Sequence, residues 1–139
     1  MKAISLWQPW ASYIAVGMKR FETRHWSTSY RGPLAIHAAK RRLTEDEQYL
    51  LEDYPLPAPV FPLGAIVATC ELVDCIRMTD ALIANRERRE LCLGNWEPGR
   101  FAWALIDVIA LSAPIPMRGR QGLFDLDEQT LRAVKERLA

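Results

Sequence analysis

Disulfide chemistry is the first thing this sequence lacks. Its three cysteines, Cys70, Cys75 and Cys92, are odd in number and form no Cys-x-x-Cys pair. That excludes a fully paired disulfide framework and leaves no zinc spacing, so the thiols read as reduced and buried. Long apolar runs are missing too: none approaches the ~20 residues needed to span a bilayer, and no membrane partner is expected. The opening MKAISLWQPW lacks the basic-then-apolar-then-small order of a secretory signal. A cytoplasmic protein is expected.

Acid is scarce at one end. Residues 1–42 carry eight Lys or Arg against Glu22 alone, a net +7, while the rest carries ten basic and sixteen acidic residues, a net −6. Such asymmetry is the footprint of a surface that meets an anion; the bland alternative is clustering on a solvated face. At 139 residues, half of them apolar and a quarter charged, the composition is that of one ordinary globular domain over residues 1–139. Nothing in it sets an oligomeric state.

Local patterns give the elements. Lys2–Leu6 is a short apolar strand, and a helix beginning near Pro9 stops at Gly17. Arg20–Trp26 alternates with the period of a strand, placing Glu22, Arg24 and Trp26 on one face and Phe21, Thr23 and His25 on the other. A polar turn leads back through Pro33–Ala38 as a hairpin partner. Thr44-Glu45-Asp46-Glu47 is a capping box, and Pro55–Pro59 is a stiff connector. Gly64–Cys75 and Phe101–Leu111 are long strands, with Pro114-Ile115-Pro116 bending the chain out of the second. A helix capped at Thr79 or Asp80 reaches about Leu91, its Arg86–Glu90 run reading as a solvated face, and Asp127 caps a final amphipathic helix. Strands with three or four interspersed helices make an α+β fold around a curled sheet.

The face of Glu22, Arg24 and Trp26 mixes an acid, a base and an indole. That suits a groove where a base stacks on the ring while Arg holds an oxygen. Tyr30, Arg31, His37 and Lys40 add aromatic and basic groups nearby. The structural alternative has Trp26 and Tyr30 capping the core, Arg24 paired with Glu22, and His37 as a satisfied core histidine. His25, on the Phe21/Thr23 face, reads as a core or barrel-wall residue rather than a catalyst. Arg118-Gly119-Arg120-Gln121-Gly122 is a basic loop whose glycines permit close approach to phosphate.

The run QPWA, then VGMKRFETR, then YRGPLAIHAAK, with GLFDL at Gly122–Leu126, resembles the ASCH family of PUA-like barrels, in its single-domain prokaryotic or phage type. The resemblance implies a partly closed mixed β-barrel of five to six strands with three to four peripheral helices. It also implies a role in RNA metabolism, with RNA or a nucleotide-like ligand bound in a cleft, Gln8 and Trp10 of the QPWA run included. Members include RNA-binding modules, a ribonuclease and an amidohydrolase that removes acetyl from a modified cytidine. Lys19 and Glu71 match positions of the amidohydrolase branch. Its Thr nucleophile is replaced here by Glu22, and Thr23 points to the opposite strand face, so a covalent mechanism does not carry over. The alternative to a binding module is therefore a hydrolase using Lys19, Glu22 and Glu71, expected to converge in one cleft. A Lys–Glu pair closing the barrel mouth is the structural counterpart. Glu22, Glu71 and His37 would come from separate strands without ligand spacing, so no cofactor is expected and the sequence indicates no metal.

Overall fold

A computed structural model describes residues 1–57 and 61–138; Ala58 and Pro59 of the proline-rich connector lie outside the described residues. Six strands form one mixed sheet: β1 (Lys2–Leu6), β2 (Phe21–Arg24), β3 (Gly32–Ala38), β4 (Ala65–Arg77), β5 (Phe101–Pro116) and β6 (Leu123–Asp125). Their order is β2-β5-β4-β3-β1-β6. β1 runs parallel to β3, with Ile4 opposite Ile36, and the other pairings are antiparallel. β4 and β5 are paired along almost their whole length, and register shifts at Ile66/Ala68, Thr69/Glu71 and Leu72/Asp74 bend the ribbon. Bulges of this kind increase local twist and curl a sheet into a partial barrel.

Both faces of the middle of the sheet are covered. Ile4, Leu6, Leu34, Ile36 and Leu72 pack with Trp103 and Ile14, the latter from α1 (Trp10–Ala15). Ala3, Ala35 and Ile66 pack with Phe124 and Val134 on the other side, where α5 (Glu128–Leu138) lies. A strand buried on both faces reads as a continuous apolar run rather than an alternating one, which is why β1 and β3 do. The capping box forms as expected at the start of α2 (Glu45–Asp53), with Thr44 and Glu47 bonded reciprocally.

Several expectations are corrected. β2 and β3 are not a hairpin: β2 pairs with β5 at one end of the sheet. Pro114 and Pro116 do not end β5, because beyond Leu105 the strand pairs only with β4 and its other edge needs no donors. The helix expected from Thr79 breaks into α3 (Asp80–Ala84) and α4 (Arg88–Cys92), giving five helices among the described residues. Of the thiols, only Cys70 is buried, donating to the Leu34 carbonyl; Cys75 is half-buried and Cys92 exposed. No helix among the described residues is long and apolar enough to cross a membrane.

Candidate functional site

A cleft of about 1660 Å³ opens at the end of the half-barrel, bounded by β2, the ends of β1 and β3, the α4–β5 connection and the loop 117–122. Its floor is set by how the chain leaves α1. Gly17, at φ +82°, ends the helix, and the Tyr13 carbonyl accepts from both Met18 and Lys19 N–H groups at 3.0 and 3.1 Å. Tyr13 is itself buried, with its hydroxyl donating to the Tyr54 carbonyl. The turn therefore fixes Lys19, whose side chain reaches the cleft only 1% exposed.

Around that ammonium stand two buried carboxylates. Glu22 Oε1 lies 3.9 Å from Lys19 Nζ and accepts from the Thr23 N–H; Glu22 Oε2 accepts from Arg24 Nε at 3.1 Å and is ion-paired with the terminal NH₂ of Arg24 at 3.0 Å. Arg24 also donates to the Ser5 carbonyl, tying β2 across to β1. The second carboxylate is Glu90 of α4, whose Oε1 accepts from the Arg20 N–H. Lys19 Nζ and Glu90 Oε2 have no hydrogen-bond partner among the described residues. Burial lowers the Lys19 pKa against the opposing pull of Glu22 and Glu90, and burial raises that of Glu90. Gly94 presses on the same spot: a Cβ there would come within 3.1 Å of Lys19 Nζ and 2.9 Å of Trp96 Nε1. Thr23 Oγ1 accepts from the Asn95 N–H, holding this connection against β2.

Across the cleft, His37 is buried between two partners. Its Nε2 lies 2.8 Å from the Met117 carbonyl, which can only accept, so Nε2 carries the proton and Nδ1 accepts from the Ser5 hydroxyl at 2.9 Å. Burial lowers its pKa. Gly119 closes over the pair, since a Cβ there would stand 2.6 Å from both Ser5 Oγ and His37 Cε1. Lys40, Arg100, Arg118 and Arg120 line the rim.

Of the residues expected at the site, Lys19 and Glu22 converge as anticipated. Glu71 does not join them. Its neighbours Cys70 and Leu72 point into the core, so it takes the other face of β4, opposite Pro33 and Ile106, and it does not line the cleft. The second carboxylate beside Lys19 is Glu90, buried and not itself lining the cleft. Trp10, Arg24, Trp26, His37 and Lys40 line the cleft; Gln8, Tyr30 and Arg31 do not. Gln8 is buried, bridging the Pro62 carbonyl and the Ser12 N–H. Tyr30 packs on the core and bonds to the Pro33 carbonyl, while Arg31 is exposed and pairs with Asp74 at 3.7 Å. Trp26 borders the cleft but also meets Trp103 edge-on, centroids 4.8 Å apart, and packs on the core. His25 is exposed on the cleft side rather than a core or barrel-wall residue. The sequence reading missed Glu90, hidden in an arginine-rich run, as well as Ser5 and Trp7. Among the described residues no three His, Cys, Asp or Glu side chains gather as metal ligands.

Known proteins share this frame. A solved ASCH structure from Zymomonas mobilis superposes with a TM-score of 0.65 at 18% identity, covering 97% of this chain and 93% of that one. A mutant form of the same Zymomonas protein gives 0.62 at 16%, over 97% and 96%. Identity that low speaks for the fold alone. In sequence, the chain is 34% identical to Activating signal cointegrator 1 of Mus musculus and 33% identical to that of Homo sapiens, over 82 residues. The match covers 52% of this chain but only 14% of each relative, so the chain corresponds to a small part of either. The ASCH domain pattern itself matches residues 4–115, which take in most of β1, all of β2 to β4 and nearly all of β5, and the chain belongs to the ASCH domain family.

Proposed function

We propose that this chain binds single-stranded RNA, or a nucleotide-like ligand, in the cleft above Lys19. The observation that carries the reading is the Lys19 ammonium, 1% exposed, facing the cleft and without a hydrogen-bond partner among the described residues. A buried donor left unmade costs free energy that an incoming acceptor restores, so the site favours an anionic or carbonyl oxygen. The exposed rim cations Lys40, Arg118 and Arg120 suit a backbone that carries more charge than one anion. Association of the family with RNA metabolism points the same way.

The test is salt dependence. Affinity for a single-stranded RNA oligomer should fall steeply with salt as counterions are released, and the triple change Lys40→Gln, Arg118→Gln, Arg120→Gln should lower the log–log slope by about 2, at ~0.7 per contact. Binding that ignores salt, or an unchanged slope in the triple variant, removes the RNA reading. The proposal needs no ion, so a chelator should leave affinity unchanged.

A hydrolase is the second reading, and one observation favours it. Lys19, on the cleft, and Glu90, buried behind it, are both driven toward their neutral forms, the pattern that lets groups act as base and acid near neutral pH. The acid–base set would then be Lys19 with Glu22 and Glu90 rather than Glu71. Turnover of RNA or acetylated cytidine that Lys19→Ala abolishes, with affinity kept within about tenfold, would place the loss on the transition state.

A further inference from the structure

Four of the five tryptophans are accounted for by packing. Trp103 is buried in the core, Trp10 and Trp26 lean on it, and Trp96 packs edge-on against Phe21 while donating to the Glu90 carbonyl. Trp7 is different. It sits between β1 and α1, 55% exposed, on the wall of the cleft, and belongs to neither core cluster. A lone exposed aromatic is ordinary, so exposure by itself decides nothing.

The setting of the ring does. The Arg41 guanidinium lies over one face, 3.9 Å from the ring centroid. Arg41 cannot swing freely, because it is paired at 2.6 Å with Glu47 Oε2, and Glu47 is 8% exposed. Glu47 is fixed in turn by the capping box: its Oε1 accepts from the Thr44 N–H at 2.8 Å, and its own N–H donates to Thr44 Oγ1. A chain of polar contacts starting at the α2 N-terminus thus covers one face of the indole with a flat cation. Lys40, next to Arg41 in sequence, is exposed on the same cleft wall.

From this arrangement we propose that Trp7, backed by Arg41, is the stacking platform of the cleft and takes one unpaired nucleobase on its free face. The inference rests on the nucleic-acid reading above and gives it a base-contacting subsite. A planar π-system fits a flat, oriented ring, and a neighbouring phosphate would fall to Lys40. An aliphatic or acidic peptide group would use the charge but leave the flat face unmatched. Base–aromatic stacking is sequence-tolerant because every base has a π-face, so the subsite selects for an unpaired base rather than for a particular one. Trp26, with its ring engaged on Trp103, leaves this task to Trp7.

Two oligomers distinguish the outcomes: oligouridylate, and an abasic oligomer of the same length and backbone. Wild type, Trp7→Ala and Trp7→Phe are titrated against both at one salt concentration, followed by fluorescence anisotropy, with thermal melting as a control on folding. Trp7→Ala should weaken oligouridylate binding roughly five- to hundredfold, leave abasic binding within twofold, and leave the salt slope unchanged. Trp7→Phe should keep most of the affinity, and neither variant should melt earlier, since the ring is outside the core. Equal oligouridylate affinity in wild type and Trp7→Ala overturns the subsite while the RNA reading stands. Parallel losses on both oligomers also overturn it, by making Trp7 a support for the cleft. Wild type that binds neither oligomer overturns both readings.

Discussion

Replacing Lys19 with methionine should cost the protein its ligand and not its fold. A buried ion pair is a poor source of stability: exchanging one for apolar groups is often neutral, or stabilising by about 1–4 kcal/mol. Stability suffers, by about 3–5 kcal/mol, when a charge is left behind without a partner. Neither carboxylate is abandoned here. Glu22 keeps the Thr23 N–H, the Arg24 Nε bond and the Arg24 ion pair, and Glu90 Oε1 keeps the Arg20 N–H. Lys19→Met also removes an ammonium that forms no hydrogen bond. The expected change in unfolding free energy runs from about zero to a gain of about 2 kcal/mol, or up to ~7 °C in Tm for a domain of this size. Ligand affinity should drop about ten- to hundredfold, the worth of one charged hydrogen bond. Linkage adds a sign. Burial lowers the Lys19 pKa in the folded state, so between that value and the unfolded lysine value of about 10.4 the unfolded chain binds more protons. Wild-type stability therefore rises with pH across that window, and the advantage of Lys19→Met shrinks as pH increases. Urea denaturation at several pH values, run beside binding titrations, measures both. A loss above ~3 kcal/mol, or an advantage that grows with pH, would refute the reasoning and make Lys19 a structural pillar.

Trp26→Ala should act mainly on the fold, costing about 2–3 kcal/mol in urea denaturation because the half-buried ring packs on Trp103; unaltered stability with lost binding would return the stacking role to Trp26. His37 has its pKa lowered by burial, so its neutral form contributes stability present above about pH 6.5, where the unfolded histidine titrates, and lost as pH falls toward the folded value. Denaturation between pH 7.5 and 5 should show this slope in wild type and less of it in His37→Asn, and identical slopes would refute it.

Much of the frame could be read from the residues because its signals are local. The capping box at Thr44, the apolar runs of β1 and β3 and the cap at Asp127 each depend on neighbours within four positions, and each is found in the structure. Lys19 and Glu22 are three apart and meet for the same reason. What failed depends on partners far along the chain. The Arg86–Glu90 run looked solvated until α4 docked beside β2 and buried Glu90 against Arg20. Pro114 looked like a terminator because the free outer edge of β5 is a property of the sheet, not of the strand. Glu71 is a different case: the apolar Cys70 and Leu72 on either side already assign it to the face away from the core, and strand alternation alone could have shown it.

Late pairing of β2 has a consequence during synthesis. β2 begins at Phe21 and β5, its one strand partner among the described residues, begins at Phe101, so at ~5–20 residues per second the ribosome needs roughly 4–16 s to supply it. Until β5 is made, residues 1–42 keep their net +7, while the enclosure that desolvates Lys19 does not exist. A nascent or truncated chain would then meet any polyanion through charge alone, without a formed cleft. The cleft itself is complete only when the last third of the chain adds the α4–β5 connection and the loop 117–122.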